Sequence, residues 1–197
     1  MKIIAIVCTL ILPFLCISCT PLIIGGAIAT GVVMKKDTSC KESVGDIYIE
    51  SKIKMAFIQN RYTNLYSKIK VQVSRGVVVC IGSVSNNEEI VKALKIIWNI
   101  KGVKKVINEL QITKSGNKLK LEQYTKDSFV TSQILSRAIL NKKISVVNYS
   151  IITNNSIVYI MGIKRSEEEL NELLSIASKI YSVKKVINHT QDLNQSN

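Results

Sequence analysis

The hexapeptide VKKVIN occurs twice, at 103–108 and again at 183–188, 80 residues apart. Lys, Ile, Val and Asn are common throughout the chain, so coincidence is tested by comparing the neighbourhoods at the same offset. They match. GVVVCIGSVSNNEEI, ending at Ile90, lies over SIVYIMGIKRSEEEL, ending at Leu170. That sets Val78 on Val158, Gly82 on Gly162, and Glu88 and Glu89 on Glu168 and Glu169. Upstream, IKVQV (69–73) lies over YSIIT (149–153), and ESKI (50–53) over TSQI (131–134) with a one-residue slip. A unit of about 65–70 residues is too long for a solenoid repeat and long enough for a small domain with its own core. The chain reads as a tandem duplication.

Each copy reads helix, strand, strand, helix, strand. In DIYIESKIKMAFI the residues Ile49, Ile53 and Phe57 recur four apart, a helical stripe. IKVQV alternates with period two, Ser74, Arg75 and Gly76 form a turn, and VVVCIGSV is a near-continuous apolar strand. NNEEIVKALKIIWNI opens with an Asn cap and two acids in its first turn, which suits the helix dipole, and Ile90, Leu94 and Ile97 give it a buried face. The second copy offers Val130, Ile134 and Ala138 as its first stripe and a turn at Asn154 and Asn155. Its second helix is capped by Ser166 and turns Leu170, Leu173, Leu174 and Ala177 inward. VKKVIN is then the closing strand, its valines under the helix and its lysines away from or bordering that face. This predicts an α+β fold of two tandem αββαβ units, each a three-stranded sheet packed against two helices. Their spans are 46–113 and 125–193, joined by a short connector at 114–124 and followed by a tail at 194–197.

The start of the chain has another composition. No residue from Ile3 to Val33 is charged, and only Lys2 precedes them. A basic start, an apolar run and a small residue before a cysteine is the layout of a secretory signal. Its end resembles the bacterial lipoprotein signal, with Ser18 as the small residue and Cys19 as the cysteine that is acylated. Cys16 stands where that pattern prefers Leu, and Leu15 and Phe14 make Cys16 itself a poorer acceptor. The expectation is a signal at 1–18, then a lipidated (palmitate-bearing) leader and linker at 19–45. The alternative is an uncleaved membrane helix, although Pro13 and the Gly25–Gly26 pair interrupt the run. Thr20 rather than Asp after the acceptor favours the outer membrane. Of the remaining cysteines, Cys80 is expected as a small buried hydrophobe, with a Cys40–Cys80 disulfide as the alternative.

A strand ending V-x-(I/L)-x-G, a Glu-rich helix start, and then G-V-x-x-V-x-N resembles the BON domain (bacterial OsmY and nodulation). Gly82 with Gly102 to Asn108 carries the pattern once, and Gly162 with Val183 to Asn188 carries it again, with Ser182 in place of the second glycine. Signal, apolar leader and two such domains together resemble outer-membrane lipoproteins with paired BON domains. The resemblance implies a non-enzymatic protein held on the periplasmic face of the outer membrane, contacting anionic phospholipid and supporting envelope integrity. It also places membrane contact on the first helix of the second copy, with an aromatic at the position of Phe129.

Charge points the same way. The chain carries 27 basic and 14 acidic residues, or +13, and loses only Lys2 with the signal, leaving +12. Residues 46–113 hold 11 basic and 5 acidic residues, or +6; residues 125–193 hold 9 and 6, or +3. A basic surface attracts nucleic acid and anionic lipid alike, and an exported lipoprotein meets the lipid. With Val130, Ile134 and Ala138 inward, Phe129, Gln133, Ser136, Arg137 and Leu140 lie on other faces of their helix, and Lys142 and Lys143 follow it. These are the candidate phospholipid-binding residues. The alternative for Phe129 is packing against the first copy.

No catalytic set is expected. The single histidine, His189, sits in a closing strand, and Glu167, Glu168 and Glu169 are explained by the helix dipole. No Cys/His spacing suits a metal, no glycine loop cradles phosphate, and neither cofactor nor small-molecule substrate is implied. The rival reading is a protein-interaction scaffold in an envelope-assembly or secretion complex, so envelope proteins are the further partners to expect.

Overall fold

The computed structural model describes residues 40–59, 63–113 and 117–193. The expected signal, the acyl acceptor Cys19, the apolar leader and the tail from 194 lie outside the described residues. The first repeat runs α1 (Cys40–Gln59), a short α2 (Thr63–Lys68), β1 (Ile69–Ser74), β2 (Val77–Val84), α3 (Asn87–Trp98) and β3 (Lys105–Ile112). The second runs α4 (Asn117–Leu140), one 3-10 turn at Val146–Asn148, β4 (Tyr149–Asn154), β5 (Ile157–Lys164), α5 (Glu167–Ser178) and β6 (Lys185–Asp192). In each sheet the middle strand pairs antiparallel with the first and parallel with the last, giving orders β1-β2-β3 and β4-β5-β6. This is the expected αββαβ plan, with three differences. A short helix precedes β1, α4 extends back to Asn117 through most of the stretch read as a connector, and the second hairpin turns at Asn155 and Ser156.

The stripes read from the sequence are the cores. Ile49, Ile53 and Phe57 of α1 join Ala93 and Ile97 of α3 over Val71, Val73, Val78 and Cys80. Val130, Ile134 and Ala138 of α4 join Leu173 and Ala177 of α5 over Ile151, Val158 and Ile160. Ile90 and Leu94 are only partly buried, and Ala93 with Ile97 is fully buried in their place. Cys80 is free and fully buried, and desolvation pushes its thiol up to about 12.

A third cluster explains why β2 and β5 are apolar on both faces. Val79, Ile81, Tyr159 and Met161 pack together with Ile107, Ile152, Ile157 and Ile187, drawn from both sheets. The sheets therefore stack back to back. The layers run helices, sheet, sheet, helices. Polar side chains rim the seam. Gln111 Nε2 donates to Tyr159 Oη at 3.1 Å and Asn155 Nδ2 to Gln111 Oε1 at 2.8 Å. His189 Nε2 lies 2.8 Å from Glu109 Oε1. Arg75 reaches the Asp192 and Leu193 carbonyls at 2.9 and 3.1 Å.

Matching devices hold both repeats. Each hairpin turn has two consecutive residues at positive φ, Arg75 and Gly76 at 50° and 79°, Asn155 and Ser156 at 52° and 64°. Both amides of each turn donate to one carboxylate from the first helix: Asp46 for Arg75 and Gly76 (2.8 and 2.9 Å), Asp127 for Asn155 and Ser156 (2.8 and 2.9 Å). Gly82 and Gly162 occupy equivalent positions, opposite Ile69 and Tyr149 in their ladders. A Cβ there would stand 2.1 Å from the Lys68 carbonyl oxygen or 2.0 Å from that of Asn148. The chain entering the first strand crosses too closely for any side chain.

Candidate membrane interface

Helix α4 places the candidate residues together on one side. Phe129, Gln133, Ser136, Arg137 and Leu140 fall at i, i+4, i+7, i+8 and i+11, one continuous helical face that flanks the buried stripe of Val130, Ile134 and Ala138. Phe129 is 64% exposed and Leu140 82%. Ser136, Arg137, Lys142 and Lys143 are exposed and Gln133 is half-buried. Phe129 thus lies on the outer helix layer, and the contact between repeats is made by the opposite faces of the sheets.

The chemistry of this face is mixed. Ser132 and Ser136 turn their hydroxyls back to the carbonyls of Ser128 and Ser132, at 3.0 and 2.8 Å, so the middle of the face is small and neutral. Apolar bulk is concentrated at Phe129 and at the Ile139–Leu140 end. There Asn141 Nδ2 donates to Glu172 Oε1 at 2.9 Å, which brings a carboxylate beside the helix end.

The first repeat, whose charge of +6 against +3 makes it a candidate to share the contact, has an equivalent face. With the one-residue slip, Tyr48 is the counterpart of Phe129 and Asp46 that of Asp127. Tyr48 is 56% exposed, and Lys52 Nζ sits 5.4 Å from its ring centroid. In the sequence Val44, Tyr48, Ser51 and Met55 are spaced i, i+4, i+7 and i+11, a second helical face behind the core stripe of the same helix.

Elsewhere, a groove of about 400 Å³ runs between the repeats, with Lys68, Lys70, Ser83, Tyr124, Lys126 and Asn154 among its lining. His189 is not part of it. Among the described residues no group of His, Cys, Asp and Glu is placed to hold a metal ion, and no helix is long and apolar enough to cross a membrane.

Two small mixed sheets, each under its own pair of helices and each closed by the same glycine-and-strand signature, define a class of paired αββαβ modules. The pattern of the BON domain matches residues 46–114 and 126–191, and the chain belongs to the BON-domain family. Among relatives, it is 34% identical over 148 residues to a protein of Anaplasma centrale described as "Uncharacterized protein in gshII 5'region", covering 75% of this chain and 95% of that one. It is 27% identical to the outer membrane lipoprotein DolP of Haemophilus influenzae, covering 86% of each chain. It is 24% identical to a "21 kDa hemolysin" of Actinobacillus pleuropneumoniae, over 76% of this chain and 75% of that one. A C-terminal domain of CdsD, a structural protein of the Chlamydia trachomatis type III secretion system, matches with a TM-score of 0.29 at 12% identity, covering 72% of this chain and 65% of that one. That likeness is too slight to bear on fold or function.

Proposed function

We propose that this protein is a non-enzymatic envelope protein, anchored by an acylated Cys19 to the periplasmic face of the outer membrane, that binds anionic phospholipid through its BON domains and so supports envelope integrity. The observation that carries the reading is the exposed face of α4. There Phe129 and Leu140 stand free of the core beside Arg137, Lys142 and Lys143. Apolar side chains enter the headgroup boundary while cations are drawn to the charged surface. The DolP relative, whose name makes it an outer membrane lipoprotein, supports the compartment.

Both helix-backed cores and the seam between sheets lie inside residues Lys36–Asn197, which form one compact unit. That unit, which lacks the acyl site, should co-sediment with phosphatidylglycerol vesicles and not with phosphatidylcholine vesicles. Phe129→Glu should weaken the association while leaving the circular dichroism unchanged. Absence of any preference for the anionic vesicles would overturn the reading and leave the interaction-scaffold alternative. Mass spectrometry of the mature N-terminus should find an acylated Cys19; an unmodified Cys19 or an intact residue 1 would remove the anchor.

A further inference from the structure

The outer helix layer of the first repeat is more apolar and more basic than the layer that carries Phe129. On α1, Val44, Ile47, Tyr48, Met55 and Ile58 are all exposed. They fall along one line of the helix, opposite the buried Ile49, Ile53 and Phe57. The line spans about 21 Å, from 14 residues at 1.5 Å each. An α-helix at a protein surface ordinarily turns a polar face to water; this one is apolar on both sides. Helix α3 lies beside α1 and adds exposed Val91 and Trp98. Lys52, Lys54, Lys92 and Lys95 are exposed among these side chains; Lys54 pairs with Glu50 at 2.5 Å and Lys92 with Glu88 at 3.7 Å, which leaves Lys52 and Lys95 as the cations outside those two pairs.

The second repeat shows that the fold itself does not require this. At the positions matching Val44, Ile47, Met55, Val91, Lys92, Lys95 and Trp98 it carries Thr125, Ser128, Ser136, Asn171, Glu172, Ser175 and Ser178. At two further positions the repeats agree, exposed Phe129 and Ile139 standing where Tyr48 and Ile58 do, so the same architecture is satisfied with fewer outward apolar side chains. The apolar side chains of α1 and α3 are therefore surplus to folding, and a contiguous exposed apolar patch of this kind marks an interaction site.

We infer that the outer face of α1 and α3 is a second docking surface for an anionic bilayer, pointing away from the α4 face. The inference rests on the phospholipid reading proposed above and adds the surface to it. Lipid fits the patch because its apolar side chains are spread over two neighbouring helices, with Tyr48 and Trp98 as amphipathic rings. Lysine stems interleave with it and carry their charges past the apolar side chains. The layer order makes the two faces point in opposite directions. One flat bilayer therefore engages one face at a time.

Trp98 is the only tryptophan of the chain and lies within the proposed face, so the unmutated protein reports on itself. On adding phosphatidylglycerol vesicles to the Lys36–Asn197 unit, Trp98 emission should shift to shorter wavelength and be quenched by brominated acyl chains. Phosphatidylcholine vesicles should leave it unchanged. Tyr48→Glu with Met55→Glu should weaken co-sedimentation roughly tenfold while Phe129 is intact, since each removes an apolar side chain from the interface. Co-sedimentation with unmoved Trp98 emission would overturn this inference and leave the α4 face as the membrane contact. Failure to co-sediment at all would overturn both. If the double variant does not fold, the Trp98 measurement on the unmutated unit decides alone.

Discussion

The two repeats share one backbone plan and opposite outer surfaces. Where α1 and α3 show solvent Val44, Tyr48, Met55 and Trp98 among lysines, α4 shows Thr125, Phe129 and Ser136 beside Lys126 and Arg137, and α5 shows Asn171 and Ser178 among glutamates. Inward, the same comparison gives near identity: Ile53 over Ile134, Ala93 over Leu173, Val78 over Val158, Asp46 over Asp127, Gly82 over Gly162. Positions that meet other parts of the same repeat have stayed alike in chemistry, because each is fixed by packing or by a hydrogen bond. Positions that meet only solvent have diverged, because the fold leaves them free. What separates the repeats is therefore what each presents to something outside the chain.

The sharpest way to break the likeness of the interiors is at the glycines. Gly162→Ala should cost at least about 4 kcal/mol, since it combines a Cβ 2.0 Å from the Asn148 carbonyl with a φ of +124°. Gly82→Ala meets the same crowding, with its Cβ 2.1 Å from Lys68 oxygen, but without the positive φ, so urea denaturation should show the smaller loss of the two. Equal losses would mean that the crowding alone sets both.

Next in size come the carboxylates that hold the hairpin turns. Asp127 is buried and Asp46 half-buried, while both accept two turn amides. Asp127→Ala should cost about 2–3 kcal/mol and Asp46→Ala less, because water reaches the orphaned amides of the first turn more readily. Asp127→Asn, which keeps an acceptor oxygen, should recover part of the loss.

Exchanging outer residues should move binding with little effect on stability. Val91→Asn with Trp98→Ser gives α3 the residues that α5 carries at those places, and surface changes of this kind stay within about 0.5 kcal/mol. Vesicle binding should fall while the denaturation midpoint holds. An unchanged affinity would assign the difference between the two surfaces to some other partner.

A separate, pH-dependent effect is at Cys80. Its thiol titrates near 12 in the folded chain against an ordinary 9.0, so the native state holds the proton that the unfolded state releases. Stability contributed by this group is present below pH 9 and is lost as pH rises toward 12. Cys80→Ala should lower stability through the cavity but flatten that alkaline decline. In the native chain at mildly alkaline pH, iodoacetamide should leave Cys80 unmodified.

Much of the fold could be read locally. Helical stripes such as Ile49, Ile53 and Phe57, the alternation of IKVQV, and the caps Asn86 and Ser166 all involve residues within one or two turns of each other. Both caps do accept from the third helical amide, at 2.9 and 3.2 Å. The duplication added long-range information that a single copy would not carry, since a glycine kept at equivalent positions signals a backbone constraint. Less was legible at the turns and at the candidate sites. The second turn lies one residue later than read because Asp127, 28 residues upstream of Asn155, fixes which amides are exposed.

What the sequence by itself determined is the inside of each repeat, because periodicity and capping are short-range consequences of 3.6-residue and two-residue geometry. Only the tertiary structure decided the outside. The apolar outward faces of β2 and β5 could have met solvent, membrane or another chain; stacking of the two sheets removes them from water and turns the helix layers apart. Whether an apolar side chain on a helix is core or surface depends on which face the sheet covers. Val44, Tyr48 and Met55 became a surface when Ile49, Ile53 and Phe57 took the sheet.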